Sequence, residues 1–334
     1  MKITKKWVAT AALATVTATV LTACSTGDTG GSGGDDVASS GGDEQVTVGF
    51  SVYDMQYEFF QYMEEGTRSA AEAKGWNFEL HDQKSDENEM VTGAQALLDK
   101  GVDVLIISPF KPDALGPIVA KAQELDVPVI IDDIGGGGVP YDAIVISDNE
   151  DGGAQAAEFM DEQIQANGGS KKVVSITCEP SAVYAARRNV GFVDEIQKLG
   201  YDVVTELSGN SKAEEGYKIM KDALAKDPDV AGVFACNDPM GVAAANAIKD
   251  SGLSPVSDVV TVGFNGDAEA LTAIADDGMS ATIAQDPTAM GELTVDLADQ
   301  AVSGEEIDYD NAEEREVYQP VTLVDADNVA DYLQ

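Results

Sequence analysis

The chain has 334 residues, 44% of them apolar, and a formal charge of −40. That length exceeds what one hydrophobic core ordinarily serves and is enough for two α/β lobes. The acidic balance is spread along the chain; it excludes nucleic acid as a partner, because phosphate binding needs clustered Lys and Arg, and it reads as a solvated surface.

Residues 1–23 read as a signal peptide. Lys2, Lys5 and Lys6 form a basic head, and Val8 to Leu21 is an apolar core too short to span a membrane as a mature helix. Leu21-Thr22-Ala23-Cys24 resembles the bacterial lipobox, which implies cleavage before Cys24 and lipid on its thiol. The expected product is exported and held on the outer face of the cytoplasmic membrane through Cys24, anchored rather than spanning. Residues 24–45 give the lipidated Cys and a flexible tether of Gly, Ser, Thr and Asp.

From Gln45 onward strands and helices alternate. Predicted strands at 46–52, 77–81, 104–108, 129–132 and 143–147 are separated by helical patterns at 59–74, 87–99 and 112–125. A second series has strands at 172–177, 202–207, 230–235, 259–264 and 281–285, with helices at 155–166, 182–199, 213–225, 239–251 and 268–275. A helix from Asp286-Pro287 to about Val302, a strand from Glu316 to Val324 and a short terminal helix over 325–334 complete the chain. Such alternation argues for parallel sheets with helices on both faces, and two series argue for two Rossmann-like lobes.

The halves echo each other. Lys100 to Val104 leads into a buried strand, and Lys226 to Val230 leads into another, so these read as equivalent third strands of related lobes. In the second, Val230 to Cys236 is followed by Asn237, Asp238 and Pro239. Asp238 fits an N-cap and Pro239 a first helical residue, since proline has no N–H to lose there. Asn237 then faces outward from the carboxyl end of a strand, where open α/β sheets hold their ligands. Cys178 and Cys236 stand at strand ends; they read either as two small buried residues or as a disulfide, which an oxidising compartment permits.

The order of motifs resembles the type I periplasmic (solute) binding proteins of the ribose and sugar ABC-transporter family, in lipoprotein form. The resemblance runs from about Val46 to Leu333. It rests on VGFSVYDMQYEFF, VIIDD, ISDNEDGG, AARRNVGF, VFACNDPM, VTVGFNG and SATIAQDP, in that sequence order. The family fold is two lobes joined by a hinge that the chain crosses three times. The crossings are expected near Ser147–Asn149, near Gln285–Pro287, and between about Asp310 and Tyr318. The first lobe is then 46–147 with about 286–314, and the second is 148–285 with about 315–334.

Carried over by motif, the resemblance implies that Phe59 and Phe60 pack on the apolar face of a sugar, with Tyr53, Gln56 and Tyr57 in the same loop. Asp132 would accept hydroxyl hydrogen bonds, with Asp133 beside it. Arg188, three before Gly191, would donate a fork of N–H groups, although Arg187 is its neighbour. Asn237, Asn265 and Gln285 would each offer a donor and an acceptor. Vicinal hydroxyls both give and take hydrogen bonds, and planar amide, carboxylate and guanidinium groups meet them in pairs.

The chain also departs from the family. Gln56 and Tyr57 are bulkier than the Asn usual there. Asp133 stands where Arg follows the sugar-binding Asp, Asn265 stands where Asp is frequent, and no aromatic residue lies near Ser211. These changes turn the expectation from ribose toward another pentose, a hexose or a sugar alcohol. The expected function is a solute receptor for an ABC importer, docking on a permease with its ATPase subunit and acting as a monomer. A sensor receptor for a signalling furanone or chemoeffector is the alternative on the same fold.

Other readings are weaker. Gly135 to Gly138 lacks the strand-to-helix context of a phosphate loop. Asp148 to Gly153 lacks EF-hand spacing, and neither a metal nor a cofactor is expected. Asp148 reads as a hinge or cap residue, and the single His81 as a surface or satisfied one. With no GxSxG or HExxH, and with Asp132 and Asp133 pointing oppositely from a strand end, no hydrolase site is predicted.

Overall fold

The computed structural model describes residues 45–333. The signal segment, Cys24 and all but the last residue of the tether lie outside the described residues. The first lobe opens with β1 (Thr47–Val52), α1 (Glu58–Ala73), β2 (Asn77–Asp82), α2 (Glu87–Asp99), β3 (Val104–Ile107), α3 (Gly116–Glu124), β4 (Val129–Asp132) and β5 (Ala143–Ser147). The second holds α4 (Asn149–Asn167), β6 (Lys172–Thr177), α5 (Val183–Lys198), β7 (Asp202–Ser208), α6 (Ala213–Lys226), β8 (Gly232–Ala235), α7 (Asp238–Asp250), β9 (Val260–Asn265), α8 (Ala268–Ala275) and β10 (Ala281–Ala284). The chain then supplies α9 (Pro287–Ser303), β11 (Glu316–Gln319) and β12 (Thr322–Asp325).

The sheets run β11-β5-β4-β3-β1-β2 and β12-β10-β9-β8-β6-β7. Apart from the antiparallel β10–β12 edge, every pairing between these strands is parallel. Strand order reverses beside β1 in one sheet and β6 in the other, which makes both lobes doubly wound. β3 and β8 hold the same place in their sheets, as their shared lead-in predicts. Central strands such as Val104-Leu-Ile-Ile107 are buried on both faces and read as unbroken apolar runs. Within the first sheet Val48, Phe50, Ile106 and Ile130 join α1 and α9 in one core, while Leu105, Ile107, Ile131 and Ile144 join α2 and α3 in another.

Three connections pass between the sheets: β5 to α4, β10 to α9, and β11 to β12. The last differs from expectation. Residues 316–324 are not one strand; Pro320 interrupts them, because proline cannot donate to a ladder. β11 therefore pairs with β5 in the first sheet and β12 with β10 in the second, and the crossing falls at Pro320–Val321 rather than between Asp310 and Tyr318. Beside it Arg187 of α5 makes a bidentate pair with Glu316 of β11, at 2.7 and 2.9 Å, so an ion pair also joins the lobes. Burial works against the Glu316 charge; Arg187 and Tyr318 outweigh it and hold its carboxyl below the usual range.

Other boundaries shift for local reasons. The helix expected at 112–125 is a 3-10 turn, Pro112–Ala114, followed by α3, and the terminal helix is a 3-10 turn at Val329–Asp331. α4 begins at Asn149, six residues early, because the Asp148 side chain accepts from Asp151 N and caps it. At α7 the cap is Asn237, whose side chain accepts from Met240 N at 3.1 Å. Asp238 is instead buried and serves the next strands, accepting from Thr282 Oγ1, Gly266 N and Asp267 N. His81 is half-buried against Ser51 Oγ.

Cys178 and Cys236, each one residue beyond its strand, are joined in a disulfide across the ends of β6 and β8, with Cα atoms 5.6 Å apart. Closing a loop of 58 residues restricts the unfolded chain, so the Cys178→Ser, Cys236→Ser double variant is expected to lose about 2–4 kcal/mol of stability. In the denatured, unreduced chain the only titratable thiol should be that of Cys24, or none where Cys24 carries lipid. Two further thiols would refute the bond.

Candidate functional site

The carboxyl ends of both sheets face a cavity of about 400 Å³. The first lobe lines it with Tyr53 after β1, Tyr57, Phe59 and Phe60 at the start of α1, and Asp133 and Ile134 after β4. The second lobe lines it with Arg188 of α5, Asn265 at the end of β9, Asp267, and Gln285 after β10. Eight of the eleven residues expected in the site are thereby brought together.

The aromatic wall is a packed cluster. Tyr53 stacks on Phe60 with ring centres 4.8 Å apart, and Phe59 meets Phe60 edge-on at 5.2 Å. Phe60 is only 8% exposed and backs the wall, whereas Tyr57 is 49% exposed. The rings form one surface whose deeper ring is core.

The opposite wall is organised by Arg188. Its Nε donates to Asn149 Oδ1 at 2.7 Å, and its Nη1 donates to the Cys236 carbonyl and to Asn265 Oδ1, both at 2.9 Å. Nη2 donates to Gln285 Oε1 at 3.2 Å. A guanidinium has five N–H donors; one on Nη2 is left. The Phe264 ring lies 3.9 Å beneath the group. Burial pulls the Arg188 pKa down to about 10 against the opposing pull of Asp133. The spacing to Gly191 points to Arg188 rather than its neighbour Arg187; Arg188 lines the cavity, and Arg187 turns to Glu316.

The motif around Arg188 has a packing cause. A Cβ on Gly191 would lie 1.9 Å from the Glu150 carbonyl oxygen, and one on Gly153 would lie 2.1 Å from that of Arg188. Two facing glycines thus let α4 and α5 touch backbone to backbone. Phe192 then stacks on Phe234 at 4.6 Å and fixes the turn of α5 that carries Arg188.

Three expected residues lie elsewhere. Gln56 is exposed and donates through Nε2 to Asp54, away from the cavity lining. Asn237 is the half-buried cap of α7, and its Nδ2 reaches the Ser211 carbonyl at 3.4 Å. Asp132 is fully buried behind the wall, where Oδ2 accepts from Thr294 Oγ1 at 3.0 Å and Oδ1 has no partner among the described residues. Burial, with Asp133 alongside, pushes its carboxyl well above the usual range. Successive residues at a strand end face opposite sides, so Asp133 takes the place in the cavity that Asp132 was expected to hold.

Asp133 and Asn265 both have backbone φ in the region that favours glycine, 65° and 139°. Such conformations cost energy and persist where the surroundings impose them. Asp267 and Asn149 were missed by sequence reasoning. Asp267 accepts from Asn265 Nδ2 at 3.2 Å, and burial raises its pKa. Its signal was the Asn265-Gly266-Asp267 turn at a strand end, held by buried Asp238.

With this geometry in view, the relatives are informative. A family model described as a periplasmic binding protein domain matches residues 48–306. The ribose import binding protein RbsB of Bacillus subtilis is 31% identical over 270 residues, 81% of this chain and 86% of that protein. The xylitol-binding protein of Mycolicibacterium smegmatis is 27% identical over 299 residues, 87% of this chain and 79% of that one. The crystal structure of a periplasmic ribose ABC transporter protein from Conexibacter woesei superposes with a TM-score of 0.78 at 21% identity, covering 86% of this chain and 94% of that one. The chain belongs to the type I periplasmic binding proteins, the family of sugar receptors of ABC importers.

Asp133 supplies a direct test of the cavity's electrostatics. Burial raises its carboxyl from about 3.8 to about 6, with Arg188 opposing the rise. A raised acid favours the neutral form in the folded state. Its contribution is therefore full below about pH 4 and is lost as pH rises through about 6. Asp133→Asn should melt higher than the parent at pH 8 and together with it at pH 4. A difference independent of pH would show that Asp133 is solvated.

Proposed function

We propose that the chain is a lipid-anchored receptor on the outer face of the cytoplasmic membrane. It takes a small carbohydrate, a pentose, hexose or sugar alcohol, between its lobes and presents it to an ABC permease and its ATPase subunit. The observation that carries this reading is a cleft with aromatic rings on one wall and a held fork of guanidinium and amide groups on the other. Rings cover the C–H face of a sugar, and the remaining Arg188 donor, the amides and the Asp133 carboxylate match its hydroxyls. The names of the ribose and xylitol relatives support the ligand class. The basic head, apolar core and Leu21 to Cys24 support export and lipid attachment.

The mechanism is binding coupled to closure. A ligand that touches both walls stabilises the closed arrangement by its contacts with each lobe. Aspartate at 133, where the family has arginine, adds an acceptor and removes a cation. That change suits a neutral polyhydroxy ligand.

A thermal-shift screen of pentoses, hexoses, alditols, inositol, nucleosides and amino acids tests the reading. A true ligand at a hundredfold over Kd adds about 2.7 kcal/mol of stability. Arg188→Lys keeps the charge and loses the fork, and should weaken that ligand at least about tenfold. Shifts with nucleosides or amino acids alone would overturn the carbohydrate.

A further inference from the structure

Asp133, Ile134 and Arg188 line a second cavity as well, of about 570 Å³. Its walls are the loop Gly135–Gly137 from the first lobe and the stretch Ser181–Ala185 at the start of α5 from the second. It is larger than the aromatic cavity and shares with it the Asp133 carboxylate, which accepts no hydrogen bond from the described residues. We propose that this second chamber is a subsite for another hydroxyl-bearing unit, so that the ligand is a disaccharide or a glycosyl-polyol with one unit in each chamber. The inference rests on the carbohydrate reading above.

The chemistry of the lining carries it. Gly135 and Gly136 are buried, yet their N–H groups meet no acceptor among the described residues; facing them, the half-buried Tyr184 and Ala185 add the free N–H groups that every helix start has. Buried backbone donors are nearly always paired, so the Gly135 and Gly136 N–H groups suit the oxygens of a hydroxyl-bearing occupant. The Tyr184 ring stands directly against Gly135, where a Cβ would come within 2.1 Å of a ring carbon. As in the first chamber, an aromatic ring shares the lining with polar groups.

The charges select the class of unit. Asp113 and Asp133 line the chamber, and the Lys111 ammonium is already paired with Glu87 at 2.9 Å. The remaining cation of the lining, Arg188, is held by neutral oxygens and faces Asp133, so the two carboxylates outnumber it; an anionic group would meet a net negative wall, whereas a neutral hydroxyl ring meets donors and acceptors. A carboxylate has two oxygens, so Asp133 at the junction accepts from a hydroxyl on each side. The linkage between the units passes beside it.

Calorimetric titration of the full chain decides the matter. The probes are ribose, xylose, glucose, galactose, xylitol and myo-inositol, set against xylobiose, maltose, lactose, sucrose and galactinol. The expected result is one two-unit ligand that binds at least tenfold tighter than either component alone. Val183 and Ser181 are exposed residues on the chamber wall, and Val183→Trp and Ser181→Trp each fill it. Both should weaken the two-unit ligand at least tenfold and leave the single unit within twofold. A single sugar or alditol that binds as tightly as every two-unit probe overturns the subsite and leaves the carbohydrate reading intact. So does a pair of folded tryptophan variants that bind the two-unit ligand unchanged. Failure of all probes overturns both.

Discussion

A guanidinium taken out of water needs an oxygen for each N–H, and the arrangement of the second wall follows from that need at Arg188. Its partners come from the α4 start, the end of β8, the end of β9 and the residue after β10. Each partner is a neutral oxygen. The side chain therefore pins three strand ends and a helix start into one surface while keeping its charge available to the cleft. Removing a partner leaves a buried charge short of a bond, which costs more than the bond itself was worth. The facing glycines of α4 and α5 are what bring Arg188 close enough to do this.

The first wall is made differently. No charge organises it; stacked rings do, and the polar group it presents, Asp133, sits on a backbone conformation that costs energy. The two walls thus divide the work of recognition into shape on one side and hydrogen bonding on the other. Ser147 Oγ, at the end of β5, donates to Gln285 Oε1 at 3.0 Å and ties the polar wall to the first crossing. With Arg187 and Glu316, this puts polar contacts between lobes on the hinge side, where small rotations change distances least.

Much of this was legible in the sequence, for physical reasons that differ from part to part. Buried parallel strands are continuous apolar runs, so the strands and their order could be read directly. Phe59, Arg188, Asn265 and Gln285 each stand at or near a strand end or helix start, and their motifs placed them. What could not be read was parity. Whether Asp132 or Asp133 faces the cleft depends on the face the last residue of β4 presents, which the run VIIDD does not display. Asn237 and Asp238 are a second instance, since either can cap a helix ahead of proline. Pro320 was visible in the sequence, but its effect required knowing that two different sheets had open edges nearby.

The order of segments along the chain has a consequence for how the molecule comes into being. α9 closes one core of the first lobe with Met290, Val295 and Leu297, and β11 covers the edge of β5. Both are made after the whole body of the second lobe. A nascent chain emerging from the ribosome therefore holds a first lobe with a missing side and a bare strand edge until residues 287–319 have followed the second lobe out. Exposed apolar faces and unpaired edges are what drive chains to aggregate. Any product that stops short of Pro287 is then an adhesive fragment rather than a smaller working lobe, and the cell gains from keeping the growing chain escorted until residue 319 is out.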